Sequence, residues 1–255
     1  MTYQPMKICV LNLSGNVGKT TLAAHLLGAF RPLAKIISVE SLNYGDATDI
    51  ASLNVEELKA SRFRDIYREM MMTDDLIVDV GASNIGAFLD ELMKYRSAIG
   101  EFDLIVIPTV PADKQQKDTI TTIEWLHKLG FDGDKVRVVF NQHQGADTID
   151  ITYAHVLGYA LGAGQKKACW TPAPVVHAND IFELVKTTRM TVGELATDPT
   201  DWKARRNQAK LDNDMHALNL AMDSQIAHDL AHAAYANLQQ ANRDLFSPYV
   251  PKAKK

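Results

Sequence analysis

The run from Ser14 to Thr21 combines two glycines with a lysine and two threonines. Gly15 and Gly18 allow backbone N–H groups to turn inward around phosphate oxygens. Lys19 adds a flexible positive charge, and the hydroxyl of Thr20 is an oxygen ligand suited to Mg²⁺. The spacing predicts a phosphate-binding loop whose nucleotide-binding residues are Gly15, Asn16, Val17, Gly18, Lys19, Thr20 and Thr21.

The elements around this run are those that a phosphate loop requires. The apolar stretch Lys7–Leu13 predicts a buried strand, and Thr20–Phe30 predicts a helix that Pro32 stops. The positive end of the helix dipole would face the loop. The strict G-x-x-x-x-G-K-[ST] pattern is not met, because Leu13 occupies the position of its first glycine.

The rest of the chain alternates short β-branched runs with helical periodicity, which predicts a doubly wound α/β fold with a mostly parallel sheet. Asn54 is predicted as a helix N-cap, with Glu57 completing a capping box, for a helix that runs to about Met72. Further strands are predicted at 36–39, 76–80, 103–107 (ending at Pro108), 136–140, 169–170 and 175–176, and further helices at about 84–95, 113–129, 149–161 and 181–186.

The segment Asn12–Thr21 (NLSGNVGKTT) resembles the deviant Walker A loop of the ParA/MinD family of ATPases, whose usual form is K-G-G-x-G-K-T-T. The resemblance extends from about Met6 to Leu195, and includes Ile107-Pro108-Thr109 and the segment Pro174–Leu195. It implies a P-loop nucleotide-binding fold, ATP and Mg²⁺ as cofactors, and a homodimer linked to ATP binding.

The resemblance also implies roles for single residues. Asp79 falls at the Walker B aspartate and would hold Mg²⁺ through water, with the Thr20 hydroxyl on the same ion; the alternative is a solvated aspartate at a strand end. Asn141 falls at the asparagine that contacts adenine; the alternative is a turn residue. The catalytic set implied in this way is Lys19, Glu40 and Asp79.

Two departures from the family pattern bear on catalysis. The signature lysine, which reaches the partner's phosphates across a dimer, falls on Ser14. In the first switch region Glu40 aligns with the first aspartate, but Leu42 falls on the second, which orients the attacking water. Because positioned charges supply most of the catalysis in phosphoryl transfer, slow hydrolysis is predicted. Glu40 or Asp46 could take over the water-positioning role; alternatively, Glu40 only assists Mg²⁺ or caps its strand.

Within the family the chain most resembles StbB-type proteins of plasmid stability and conjugation. That resemblance implies a slow or partner-dependent ATPase that acts in plasmid stability, positioning or conjugative transfer with a plasmid-encoded DNA-binding partner. An ATP-dependent adaptor without hydrolysis remains an alternative, as does a small-molecule ligase similar to dethiobiotin synthetase.

Other classes of site fit the sequence less well. Cys9 lies inside a predicted strand and Cys169 beside another, which argues against an iron–sulfur cluster. Asn141 is not followed by the lysine and aspartate of a guanine-binding motif, so adenine is favoured. His228 and His232 lie one helical turn apart, but a third metal ligand is missing from the pattern.

The chain changes character after Pro199. Apolar residues from Leu211 to Leu245 recur every three or four positions without a strand signal, which predicts helix. We therefore divide the sequence into a nucleotide-binding domain, residues 1–198, and a helical C-terminal extension with a basic tail, residues 199–255. The extension either folds back on the domain as two helices or projects from it.

Composition narrows the class of protein. The chain has 255 residues, of which 46% are hydrophobic, with a net charge of −4 and two cysteines. No apolar run reaches the length of a membrane span. Two cysteines cannot make a disulfide framework, so we expect a reducing, cytoplasmic location, with nucleoid association left open. The extension has two basic clusters that can hold phosphate backbones weakly and without sequence preference; the alternative is solvated helix ends and a frayed tail. The clusters are Lys203, Arg205, Arg206 and Lys210, and Lys252, Lys254 and Lys255.

Overall fold

A computed structural model describes residues 4–39, 50 and 52–247. The expected switch residues Glu40, Leu42 and Asp46 lie outside this range, as does the basic cluster 252–255. In the described part, no helix combines the length and apolarity needed to cross a membrane.

Seven parallel strands form one sheet in the order β3-β2-β4-β1-β5-β6-β7. The central strand β1 lies between β4 and β5, and the chain winds outward from it in both directions. The predicted doubly wound α/β class is therefore confirmed. The strands are β1 (Lys7–Val10), β2 (Lys35–Val39), β3 (Asn54–Leu58), β4 (Leu76–Val80), β5 (Leu104–Thr109), β6 (Val136–His143) and β7 (Val175–His177).

Helices cover both faces of the sheet. They are α1 (Lys19–Thr21), α2 (Phe63–Met72), α3 (Ile85–Lys94), α4 (Arg96–Glu101), α5 (Asp113–Leu129), α6 (Ile149–Thr152), α7 (Ala154–Leu161), α8 (Ile181–Thr188), α9 (Val192–Ala196), α10 (Trp202–Leu211) and α11 (Met215–Phe246).

The two faces of the sheet bury separate apolar cores, because successive side chains of a strand point to opposite sides. In β1, Ile8 and Val10 join one core, whereas Cys9 joins the other. In β4, Ile77 shares the face of Ile8, and by alternation Asp79 lies on that same face. The loop after β1 and the end of β4 therefore meet at one edge of the sheet, on one face.

The predicted helix after the phosphate loop is present but irregular. After α1 the chain makes π-helical turns over Leu22–Leu27 and a 3-10 turn over Gly28–Phe30. A side chain at Gly28 would place its Cβ 3.0 Å from Ile36 Cδ1, so glycine lets this helix approach β2 closely. The helical stretch ends at Phe30, two residues before Pro32.

The predicted helix from Asn54 is wrong at its start. Residues Asn54–Leu58 form an edge strand that pairs with β2 over five residues, and α2 begins only at Phe63. The capping-box pattern of Asn54 and Glu57 is a local preference worth about 1 kcal/mol. Pairing with the edge of a sheet outweighs it.

Smaller differences concern the bounds of elements. The first strand ends at Val10 instead of Leu13, and Pro108 lies inside β5 instead of ending it. Residues Ile149–Leu161 form two helices, broken at Tyr153. The structure also has α4, which the sequence did not predict.

The C-terminal extension folds back as two helices. The later part of α11 places Ala231, Leu238 and Leu245 in the core that contains Ile8. Asn242 Nδ2 donates to the carbonyl of Leu26 over 2.8 Å, and Arg137 Nη2 donates to the carbonyl of Asp244 over 2.9 Å. The division of the chain at residue 198 stays a prediction.

Candidate nucleotide-binding site

The loop between β1 and α1 has two residues in the left-handed region. Gly18 has φ +80°, the conformation that glycine adopts without a steric cost. Asn16 has φ +58° and takes the place of a glycine in the family pattern. Asparagine is among the few non-glycine residues that tolerate this conformation, so the loop keeps its shape without the second glycine.

Lys19 folds over the loop from the start of α1. Its Nζ donates to the carbonyl of Ser14 over 2.7 Å and to the carbonyl of Asn12 over 3.3 Å, and the residue is buried. The ammonium group therefore lies inside the curve of the loop, where a bound phosphate would replace carbonyl oxygens as its partner.

Thr20 and Asp79 meet at the edge of the sheet. The Thr20 hydroxyl donates to Asp79 Oδ2 over 2.7 Å, and Asp79 is 2% exposed. Ser38 is in register with Asp79 on the next strand, and its buried Oγ has no hydrogen-bond partner within the described ranges. A hydroxyl at the start of α1 and a carboxylate in β4 are hard oxygen groups of the kind that Mg²⁺ takes beside phosphates.

Asn141 reaches the phosphate loop from the end of β6. Its Nδ2 donates to the carbonyl of Val17 over 2.9 Å, and a Cβ on Gly18 would lie 2.3 Å from the same Nδ2. The backbone carbonyl of Asn141 accepts a hydrogen bond of 2.9 Å from the hydroxyl of Tyr153. The structure thus brings Asn141 to the loop, where its side-chain amide donates to the loop backbone.

The sequence patterns did not single out Asn12, which follows β1 and holds the start of the loop through side-chain hydrogen bonds. Its Oδ1 accepts from the backbone N–H of Ser14 over 2.8 Å, and its Nδ2 donates to the Pro108 carbonyl over 2.7 Å and to Thr119 Oγ1 over 2.8 Å. Thr122 adds a hydroxyl that accepts from the backbone N–H of Leu13 over 3.2 Å. The available signal was a polar side chain at the end of an apolar strand, together with two threonines spaced for one face of α5.

Titratable groups behind the loop are held neutral by burial. Burial holds the pKa of the Cys9 thiol well above its usual value, and the negative charge of Asp79 adds a smaller effect in the same direction. Burial lowers the pKa of His25 to about 4, against the smaller opposing effect of Glu194. The Nδ1 atom of His25 accepts from the backbone N–H of Val192 over 3.4 Å.

The remaining candidate residues do not assemble into a second site. The two cysteines are free, Cys9 inside β1 and Cys169 half-buried. The His228 and His232 rings lie edge to face, 4.6 Å apart. Over the described ranges, no three metal-ligating side chains cluster.

Solved structures show what this chain resembles. The MinD cell division protein of Aquifex aeolicus aligns with a TM-score of 0.53 at 12% identity, over 96% of this chain and 99% of that chain. A MinC:MinD complex of the same organism gives 0.51 at 12%, with 98% of each chain covered. The chain has the fold of MinD and ParA.

A ParA family ATPase from Chlorobium tepidum TLS also has the MinD/ParA fold, with a TM-score of 0.50 at 14% identity, over 76% of this chain and 93% of that chain. No protein-family model matches the sequence, and no curated protein matches it. At these identities the likeness establishes the fold. The roles of single residues remain predictions that rest on the geometry of this site.

Proposed function

We propose that this chain binds ATP with Mg²⁺ at the loop Gly15–Thr21. The observation that carries the proposal is the contact between Thr20 and Asp79, which joins the loop to β4 at 2.7 Å. In this fold the carboxyl ends of the parallel strands form the ligand-binding edge. A hydroxyl and a carboxylate placed there, next to a buried lysine, fit a nucleotide phosphate chain and its metal ion.

Each residue of the site has a distinct task in this proposal. Lys19 exchanges the Ser14 carbonyl for the β- and γ-phosphate oxygens. Thr20 and Asp79 hold Mg²⁺, which neutralises phosphate charge when it is bound. Asn141, whose Nδ2 donates to the Val17 carbonyl, is the proposed contact to adenine.

Hydrolysis in this proposal is slow or depends on a partner. Ser14 is 4% exposed, and its short side chain cannot reach across a dimer to a partner's phosphates as a lysine would. Fixed charges at the transferring phosphoryl group supply most of the rate enhancement in such enzymes. Glu40 is the proposed catalytic acidic residue of the first switch region.

The biological role that we propose is plasmid stability, positioning or conjugative transfer, as in StbB-type proteins. The solved neighbours include a cell division protein and a MinC:MinD complex, which shows one protein of this fold with a protein partner. We propose a plasmid-encoded DNA-binding partner, an ATP-linked homodimer and a cytoplasmic location. Lys203, Arg205 and Lys210 are exposed on α10 and would make weak DNA contacts.

The test is nucleotide binding by the Lys19→Ala variant, measured by calorimetry with ATP and Mg²⁺. We expect at least about a hundredfold loss of affinity, which corresponds to about 2.7 kcal/mol. Lys114→Ala, on α5, is the matched control and should bind as the wild type does. Unchanged affinity in a folded Lys19→Ala variant would exclude the loop as the nucleotide site.

Turnover separates the ATPase from the adaptor alternative. Steady-state hydrolysis and mass in solution should be measured with and without ATP, over a range of protein and DNA concentrations. Turnover that rises with concentration, together with a doubled mass in ATP, supports a dimerising ATPase. Tight ATP binding without turnover under every condition supports the adaptor.

A further inference from the structure

A concave surface that is separate from the candidate nucleotide site lies between the start of α2 and the end of α3. It is a cavity of about 390 Å³, within the range of about 300–1,000 Å³ that is typical of small-ligand sites. Three arginines line it: Arg62, Arg64 and Arg68. None of its lining residues belongs to the phosphate loop, and none is Asp79 or Asn141.

The carboxylates in this cavity are already paired. Asp65 Oδ2 accepts from Arg62 Nε over 2.8 Å, and Glu91 Oε1 accepts from Lys94 Nζ over 2.6 Å. The guanidinium groups of Arg64 and Arg68 have neither a carboxylate within 4.0 Å nor a side-chain hydrogen bond to any residue that the structure describes. The two guanidinium groups therefore line the cavity without forming an ion pair to any carboxylate that the structure describes.

The spacing of these two arginines places them on one face of α2. Residues four apart are neighbours on a helix, and like charges at that spacing destabilise it. The cost falls when an anion lies between the two groups. Each guanidinium also offers parallel N–H donors that match two oxygens of a phosphate.

The wall behind the arginines is rigid. Phe63 is 1% exposed, stacks on Tyr95 with the ring centres 5.6 Å apart, and meets the edge of Phe88 at 5.4 Å. Tyr95 and Ser61 place hydroxyl-bearing side chains in the lining. Because the aromatic rings of this wall pack against one another, the main ordering cost of binding would come from the exposed arginine side chains.

We infer that this cavity binds a phosphate monoester, held by Arg64 and Arg68. The acidic residues Asp65 and Glu91 in the same lining favour a single compact dianion over a continuous polyanion such as duplex DNA. A monoester carries a second negative charge above about pH 6, whereas a phosphodiester does not. Binding should therefore strengthen as the pH rises through that value.

The experiment follows the Nε–Hε signals of Arg64 and Arg68 by NMR at constant ionic strength. The probes are inorganic phosphate, a phosphoserine peptide and, as the diester, dimethyl phosphate. We expect both monoester probes to shift these signals, dimethyl phosphate to bind at least about tenfold more weakly, and affinity to rise from about pH 5 to about pH 7.5. Amide signals of Gly15 and Gly18 report separately on phosphate at the loop.

The double variant Arg64→Gln/Arg68→Gln should lose at least about tenfold in phosphate affinity, as measured by the Arg62 signal. Lys114→Gln/Lys117→Gln, on α5, is the matched control and should keep it. The same pH series on the double variant measures the pH dependence of affinity that Asp65, Glu91 and Tyr95 contribute. This part is subtracted from the wild-type result. Tighter binding of the peptide than of phosphate identifies a phosphorylated protein as the ligand, and equal binding identifies a small phosphate compound.

Three results would overturn the inference. The first is that none of the arginine signals shifts with phosphate. The second is that dimethyl phosphate binds as tightly as inorganic phosphate, without a pH effect. The third is that only a duplex oligonucleotide shifts the signals, which would make this surface a nucleic-acid contact instead.

Discussion

The hydroxyl of Thr20 donates to Asp79 Oδ2 over 2.7 Å. The two residues come from the first turn after the loop and from the end of β4, which pairs with β1 in parallel register. The contact closes the candidate nucleotide site on the side where a metal ion would lie. It also connects the loop to the chain that follows Asp79, which continues through a 3-10 turn, Ala82–Asn84, into α3.

Replacing Asp79 with Asn should weaken ATP binding mainly when Mg²⁺ is present. The amide keeps the size of the side chain but removes the negative charge that attracts a divalent ion. We expect a loss of about tenfold or more with Mg²⁺ and little change in its absence, measured by calorimetry with and without a chelator. Thr20→Ser keeps the hydroxyl and serves as the control. An equal loss with and without Mg²⁺ would show that Asp79 acts on the fold of the loop instead.

Gly18→Ala should destabilise the protein for two separable reasons. Its φ of +80° costs an L-residue about 1–2 kcal/mol, and the new Cβ would meet Asn141 Nδ2 at 2.3 Å. In the Asn141→Ala background the second cost disappears and the first remains. A double-mutant cycle by urea unfolding measures the difference. Additive effects would mean that Asn141 moves aside without cost.

His25 should make stability depend on pH. Its pKa is about 4 in the folded chain, because burial disfavours the charged form, against 6.5 for the unperturbed group. Between these values the unfolded chain binds a proton that the folded chain does not, so stability falls as the pH falls from about 6.5 to about 4. The total effect is about 3 kcal/mol, since one pKa unit corresponds to about 1.4 kcal/mol.

The measurement is urea unfolding over this pH interval for the wild type and His25→Gln. Carboxyl groups titrate in the same interval, so the informative quantity is the difference between the two proteins. The glutamine variant should lose less stability than the wild type on acidification. His127→Gln, at an exposed position of α5, should follow the wild type. Identical slopes in all three proteins would refute the role of His25.

Leu238→Ala should cost about 2–5 kcal/mol of stability, the range for truncation of a buried leucine. Leu238 is 0% exposed and packs in the core that contains Ile8 and Leu26. Leu211→Ala, at a leucine that is 77% exposed, is the control and should change stability by less than about 0.5 kcal/mol.

Removal of residues 199–255 tests the proposed boundary between the two parts of the chain. It would expose one core of the sheet, because α11 supplies part of that core. We expect the truncated chain to aggregate or to lack cooperative unfolding in calorimetry. A stable, ATP-binding fragment would show that the extension is an appendage.

The elements that the sequence predicted best are those with local signals at both ends. Helix α5 was predicted at 113–129 and is observed at Asp113–Leu129, because Gly130 ends it with φ +95°. Strand β4 was predicted at 76–80 and is observed there. Apolar runs buried on both faces and glycine at a helix end report on the local chain, so no distant contact was needed to find them.

The failed helix at Asn54 shows the opposite case. The pattern of Asn54 and Glu57 favours a helix start locally, but these residues pair with Lys35 and Ser38 of β2. Sheet pairing joins segments far apart in sequence, so a single window of sequence cannot reveal it. The same limit applies to Asn12, whose partners Pro108 and Thr119 lie about a hundred positions away along the chain.

The sequence by itself determined the class of fold and predicted the phosphate-binding loop, because glycine spacing, strand periodicity and helix ends are local properties of the chain. Only the tertiary structure decided that Thr20 meets Asp79, that Asn141 holds Val17, and that α11 completes a core of the sheet. These contacts depend on strand order and register, which are set by the packing of the whole domain.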